Sequence, residues 1–180
     1  NLYAAHHPRG KADPDQMSDM TPIRPPRGAA AVGRLAELDP VEAGAVLYMR
    51  LCWNAPDALE RMTEDFVSLM GPDAGRHAAR GFHQLSQLCH GHARRPLCPH
   101  ALSCACLGGD EACFARMVAS AADGAREEAL MMALLLVRAD MAPLITGLAQ
   151  DAGLALRRMT LRGAGDHGAV PAPTPGQRLH

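Results

Sequence analysis

The sequence predicts an all-α protein, a compact bundle of six or seven short helices with a Cys/His-rich loop at its centre. Three observations carry that prediction. Aromatic residues make up only 3% of the 180 residues and β-branched ones are few, while Ala, Leu and Met abound, a composition that favours helix over sheet. Apolar residues recur at spacings of three and four in successive segments. Between those segments stand Asp-Pro, Gly-Pro and Asp-Gly pairs, which start and stop helices.

Taken in order, residues 1–28 are polar and carry Pro8, Pro14, Pro22, Pro25 and Pro26; they read as a disordered arm or leader. Residues 29–162 read as one helical domain, and the Gly/Pro-rich residues 163–180 as a disordered tail. Ala29 to Leu38 is expected as a short helix. Asp39 as N-cap and Pro40 at the first position then open a helix to Trp53, with Val41, Ala45, Tyr48, Met49 and Cys52 on one stripe. Leu59, Met62, Phe66, Leu69 and Met70 mark the next helix, ended by Gly71-Pro72. Asp73 is expected to cap a helix to His92, with Ala78, Phe82, Leu85, Leu88 and Cys89 inward. His83 and His90 share its polar face and read as solvated surface.

Residues 94–109 have no helical period and contain Pro96, Pro99 and Gly108-Gly109, so they read as a loop. Asp110 is expected as the cap of a helix carrying Phe114, Met117, Val118 and Ala121. The segment from Ala125 to Val137 is apolar nearly all round and is expected as the central buried helix. Asp140 is expected to cap the last helix, whose stripe is Leu144, Ile145, Leu148, Ala152, Ala155 and Met159. An alternative ends that helix at Gly153 and makes 154–161 a strand.

Composition excludes several classes. Eighteen basic against 19 acidic residues give no bulk charge for nucleic acid, and sparse aromatics remove stacking platforms for single strands. A helix-turn-helix over 126–158 lacks a turn glycine, and its second helix is too apolar. Nucleic acid is therefore an unfavoured partner. The longest apolar run, Ala129 to Val137, is far short of the roughly 20 residues a bilayer span needs, so no membrane partner is expected. No Walker, Rossmann or serine-elbow pattern is present, and an enzyme is the less favoured reading. The first 30 residues show no signal-type apolar region, and the thiols read as mostly reduced; together they lead to the expectation of a cytoplasmic protein. The Arg and Ala bias fits a GC-rich bacterial genome.

The chemically unusual segment is Cys89 to Cys113, which holds five of the six cysteines and also His90, His92 and His100. Its core is Cys104-Ala105-Cys106, then six residues, then Cys113. Thiolates and imidazoles are the donors zinc, iron and copper(I) prefer, and Gly108-Gly109 lets the backbone fold back. Cys104, Cys106 and Cys113 are therefore the expected ligands of zinc or an iron–sulfur cluster. Cys98, His100, Cys89 or His92 would fill the fourth position. Near a helix start, Cys113 should ionise easily. The metal would pin the loop to the helix after Asp110, in a structural or regulatory role, and the helical surface would engage a protein partner or a second copy. Two alternatives stay open: a metal-free adaptor whose thiols are inert core or loop residues, and a thiol-based redox sensor using Cys104, Cys106 and Cys113. Cys98-Pro99 beside His100 has the look of a haem thiolate site, but three Phe are few for haem pocket walls.

Overall fold

The computed structural model describes residues 27–166, with side chains to 163; all but the last two residues of the arm expected over 1–28, and residues 167–180 of the tail expected over 163–180, lie outside the described residues. Six helices and one two-stranded sheet follow each other as β1 (Ala31–Arg34), α1 (Pro40–Asn54), α2 (Ala58–Met70), α3 (Pro72–Gly91), β2 (Cys106–Gly108), α4 (Gly109–Ala122), α5 (Arg126–Leu136) and α6 (Ala142–Asp166). The chain is a helical bundle, as its composition and periodicity predict.

Several signals act as read. Asp39 caps α1, its carboxylate accepting from the N–H groups of Val41 at 2.8 Å and Glu42 at 3.0 Å, and Pro40 takes the first position. Gly71 separates α2 from α3 with φ of 85°, a conformation glycine adopts without the Cβ penalty. The inward stripes of α1, α2 and α3 meet through ring edges. Tyr48 lies 5.1 Å from Phe66 and 5.9 Å from Phe82, and Phe82 lies 6.2 Å from Phe114 of α4, centroid to centroid. All three Phe are thereby held in the core.

Other expectations are corrected. The stretch expected as a helix over 29–38 is instead strand β1 between two 3-10 turns. It pairs antiparallel with β2 in the register Gly33 to Leu107 and Arg34 to Cys106, so the loop is not irregular throughout. Gly33 weakens helix, and strand pairing satisfies loop backbone groups that a helix would leave orphaned. Asp73 is exposed and bonds Arg76 at 2.8 Å, while Gly71 holds the cap position of α3. Asp140 is bonded by Arg138 at 2.9 and 3.2 Å, outside α6. Helix α5 is not central: only Ala129, Ala133 and Leu136 are buried, and Met131 and Leu135 are 61% and 54% exposed. The enclosed helix is α4, packed against α1, α5 and α6, because its small residues Ala115, Ala119 and Ala122 admit neighbours beside the Phe114–Met117–Val118 stripe.

Helix α6 runs unbroken through Gly153, which marks a close approach, not a stop. A Cβ there would stand 2.6 Å from the Val118 carbonyl oxygen and 2.8 Å from Ala122 Cβ, whereas at Gly147 it would meet nothing within 4 Å. Alanine gains roughly 1 kcal/mol over glycine in an open helix, and overpacking costs about 1–3 kcal/mol. Gly147→Ala is therefore expected to raise the urea midpoint and Gly153→Ala to lower it.

Candidate metal centre

The loop between α3 and α4 is held by two consecutive carboxylates in the first turn of α4, where the helix N-terminus favours negative charge. Asp110 is 3% exposed; it takes the Arg95 guanidinium through two bonds of 2.5 and 2.9 Å and the Cys98 N–H at 3.1 Å. It therefore does not cap α4; Gly108 is the N-cap. Glu111 is fully buried and meets the equally buried Arg50 of α1, with Nε–Oε1 at 2.7 Å and Nη2–Oε2 at 2.8 Å. The same carboxylate accepts the N–H groups of His100 and Gly108, each at 2.8 Å.

Arg50 completes the frame from the other side. Its Nη1 donates to the carbonyls of Cys104 at 2.7 Å and Ala101 at 3.2 Å, and its Nη2 to that of Cys106 at 2.6 Å. One buried guanidinium thus orders the loop backbone on which the Cys-x-Cys pair sits. Burial alone would push the Glu111 carboxyl up; the bonds from Arg50, Gly108 and His100 outweigh it and hold the carboxyl below its ordinary 4.5.

This frame gathers His100, Cys104 and Cys106. Their donor atoms all lie within 4.8 Å of one another, the only such group of three His, Cys, Asp or Glu among the described residues. His100 Nδ1 stands 3.0 Å from Cys106 Sγ and 3.6 Å from Cys104 Sγ. Its Nε2 faces the Ala29 carbonyl oxygen at 3.1 Å. A carbonyl only accepts, so in the neutral ring Nε2 carries the hydrogen and Nδ1 turns a bare lone pair to the sulfurs. That is the tautomer of a metal-ligating histidine whose other nitrogen is held by an outer partner. The Ala29 carbonyl belongs to the N-terminal strap, which β1–β2 pairing and the bond from Gly109 N to Ala30 O at 3.1 Å fasten over the loop. All three residues are half-buried, with Ala101, Leu102, Ser103 and Ala105 exposed around them. A His/Cys/Cys group able to hold a metal ion is therefore present.

In the structure the two sulfurs are joined as a disulfide, with Cα atoms 5.5 Å apart, while Cys52, Cys89, Cys98 and Cys113 are free. The expectation of reduced thiols thus differs at this pair, whose Cα separation lies within bridging range.

The other residues named from the sequence stand apart from the group. Helix α4 begins at Gly109, so Cys113 is its fifth residue, one turn along from Asp110. Burial pushes its thiol up, the Asp110 carboxylate adds to this and Arg95 opposes it; the expected easy ionisation is corrected. Cys98 is tied by its backbone to Asp110. His92 is the C-cap of α3, and its carbonyl accepts the Arg138 N–H at 3.1 Å. Cys89 is fully buried in the core, and burial pushes its thiol up to about 12. Alkylation of the native protein near pH 8 is accordingly expected to label Cys98 and spare Cys89, read by peptide mass spectrometry; equal labelling would show that α3 opens readily.

Sequence reasoning overlooked Arg50 and Glu111. The available signals were an arginine amid Val46, Met49 and Leu51, and a glutamate three residues after Gly108, half of a capping box. No family model matches the chain, and comparison with curated proteins and with solved structures gives no significant similarity.

Proposed function

We propose that this helical protein binds one thiophilic metal ion, zinc in the first instance, through His100 Nδ1, Cys104 Sγ and Cys106 Sγ of the dithiol form, in a structural or regulatory role. The observation that carries the reading is His100 Nδ1 standing 3.0 and 3.6 Å from the two sulfurs on a loop ordered by a buried ion pair. Zinc is favoured over an iron–sulfur cluster because the chain gathers three donors, one of them nitrogen, where clusters take four cysteines. Three protein ligands leave the fourth tetrahedral position to water or to a side chain of a partner. The donors all lie in one loop, so the ion stiffens that loop beneath the strap, and Glu111, not the metal, ties the loop to α4. The exposed Met131 and Leu135 of α5 support a protein partner or second copy on that side.

The test is zinc titration of the anaerobically reduced full chain against a chromogenic chelator. One zinc per chain, with two thiols shielded from alkylation, is the expected result. A reduced chain that takes up no zinc would overturn the reading.

A second reading, a thiol-based redox sensor, is favoured by the disulfide between Cys104 and Cys106. It differs from the sequence expectation in relying on His100 where Cys113 was named.

A further inference from the structure

The same two sulfur atoms serve the metal and the disulfide, and the histidine stands nearer one of them. We infer that the site is operated by hydroperoxides: Cys106 reacts first, Cys104 closes the bond, and the disulfide denies the sulfurs to the metal. The closing step rests on the metal reading above; the order of reaction does not.

The order follows from geometry. His100 Nδ1 is 3.0 Å from Cys106 Sγ and 3.6 Å from Cys104 Sγ. The imidazole nitrogen nearer Cys106 is placed to take that thiol's proton as its sulfur bonds to oxygen. The Arg50 guanidinium, neutralised by Glu111, donates to the carbonyls of both cysteines and fixes the backbone that carries the two sulfurs. Both sulfurs are half-buried with exposed residues around them, so a small peroxide reaches them. Buried Cys52 and Cys89 carry thiols pushed up by their surroundings, and they stand outside this chemistry.

The steps balance. The Cys106 sulfur attacks the outer oxygen of the hydroperoxide, the O–O bond breaks, and the thiol proton leaves with the second oxygen as an alcohol, or as water from hydrogen peroxide. Cys106 is left as a sulfenic acid, oxidised by two electrons. The Cys104 sulfur then attacks Cys106 sulfur, its proton and the sulfenic hydroxyl depart as water, and the disulfide forms. A disulfide lacks the anionic sulfurs that zinc requires. A small dithiol reverses the step by exchange, becoming a disulfide itself while both protein thiols return.

The experiment uses the reduced, metal-free full chain, hydrogen peroxide as oxidant and a dimedone-type sulfenic acid trap. Cys104→Ser is expected to give an adduct on Cys106, and Cys106→Ser at least tenfold less on Cys104. Wild type under limiting peroxide, trapped rapidly, reads the same order without any substitution. Wild type left to complete the reaction should form the disulfide, bind no zinc, and regain one zinc per chain after dithiol treatment. Equal adducts at the two positions, first oxidation at Cys98 or Cys113, or zinc binding undiminished by the disulfide would overturn the inference. If the reduced chain takes no zinc, the metal reading fails, and the trapping results still decide the order of reaction.

Discussion

Arg50→Met is expected to destabilise the protein by about 3–5 kcal/mol, because it leaves Glu111 charged, buried and unpaired. That is a large part of the roughly 5–15 kcal/mol that keeps a domain folded. Both side chains are fully buried, so water cannot replace the missing partner. The double variant Arg50→Met/Glu111→Leu separates two roles of the pair. With no charge left unpaired, most of the stability should return, since apolar side chains of similar volume often substitute well for a buried ion pair. The loop should not recover its order, because the carbonyls of Ala101, Cys104 and Cys106 lose the guanidinium and the N–H groups of His100 and Gly108 lose the carboxylate. Urea unfolding reads the first effect, and hydrogen exchange over residues 98–108 the second. An Arg50→Met protein as stable as wild type would show that the pair contributes nothing.

The pH dependence has a definite sign. The folded Glu111 carboxyl is held below the ordinary 4.5, so the unfolded chain binds its proton first. Its contribution is complete well above pH 4.5 and is lost as pH falls through the lower folded value. The double variant should lack that part of the acid limb.

Zinc affinity of the reduced protein is expected to fall most when a donor is removed. His100→Ala, Cys104→Ser and Cys106→Ser should each cost more than the about 10–100-fold that loss of an outer partner costs. Cys113→Ser and Cys89→Ser should leave the affinity unchanged, because neither thiol belongs to the group. Gly108→Ala tests the frame without replacing a donor. Its Cβ would stand 2.9 Å from the His100 ring, so the imidazole must turn, and the affinity should fall by about 10–100-fold, as for an outer partner. Chelator competition measures all six proteins under one set of conditions. Retained affinity in His100→Ala, or loss in Cys113→Ser, would move the site toward the Cys-x-Cys-x6-Cys arrangement expected from the sequence.

The helices were legible because their signals are local. Asp39-Pro40 and Gly71-Pro72 act within one turn, and the stripes of α1 to α4 repeat at the helical period. What escaped is non-local or ambiguous. Arg50 and Glu111 are 61 residues apart, and neither residue alone shows that it is paired and buried. Strand β1 is a strand only because β2 lies beside it. Helix α5 is apolar nearly all round after its charged first turn, so periodicity could not say which side faces out, and its place at the edge is set by the packing of α4 and α6. At the site, the density of Cys and His pointed to the loop in which Cys104, Cys106 and His100 are gathered, all three among the expected ligands. What differs from the sequence expectation is the start of α4. Asp110 turns to Arg95 instead of capping the helix, which begins at Gly109. Cys113 is then the fifth residue of the helix instead of the third, and His100, held by the Ala29 carbonyl and by Glu111, stands beside the paired sulfurs.

Zinc K-edge X-ray absorption on the reduced, zinc-loaded full chain tests the donor set itself. The arrangement of His100, Cys104 and Cys106 predicts two sulfurs at about 2.3 Å and an imidazole nitrogen at about 2.0 Å, with the spectrum unchanged in Cys98→Ser and Cys113→Ser. A shell of four sulfurs, a shell without sulfur, or loss of a sulfur in Cys113→Ser would contradict it.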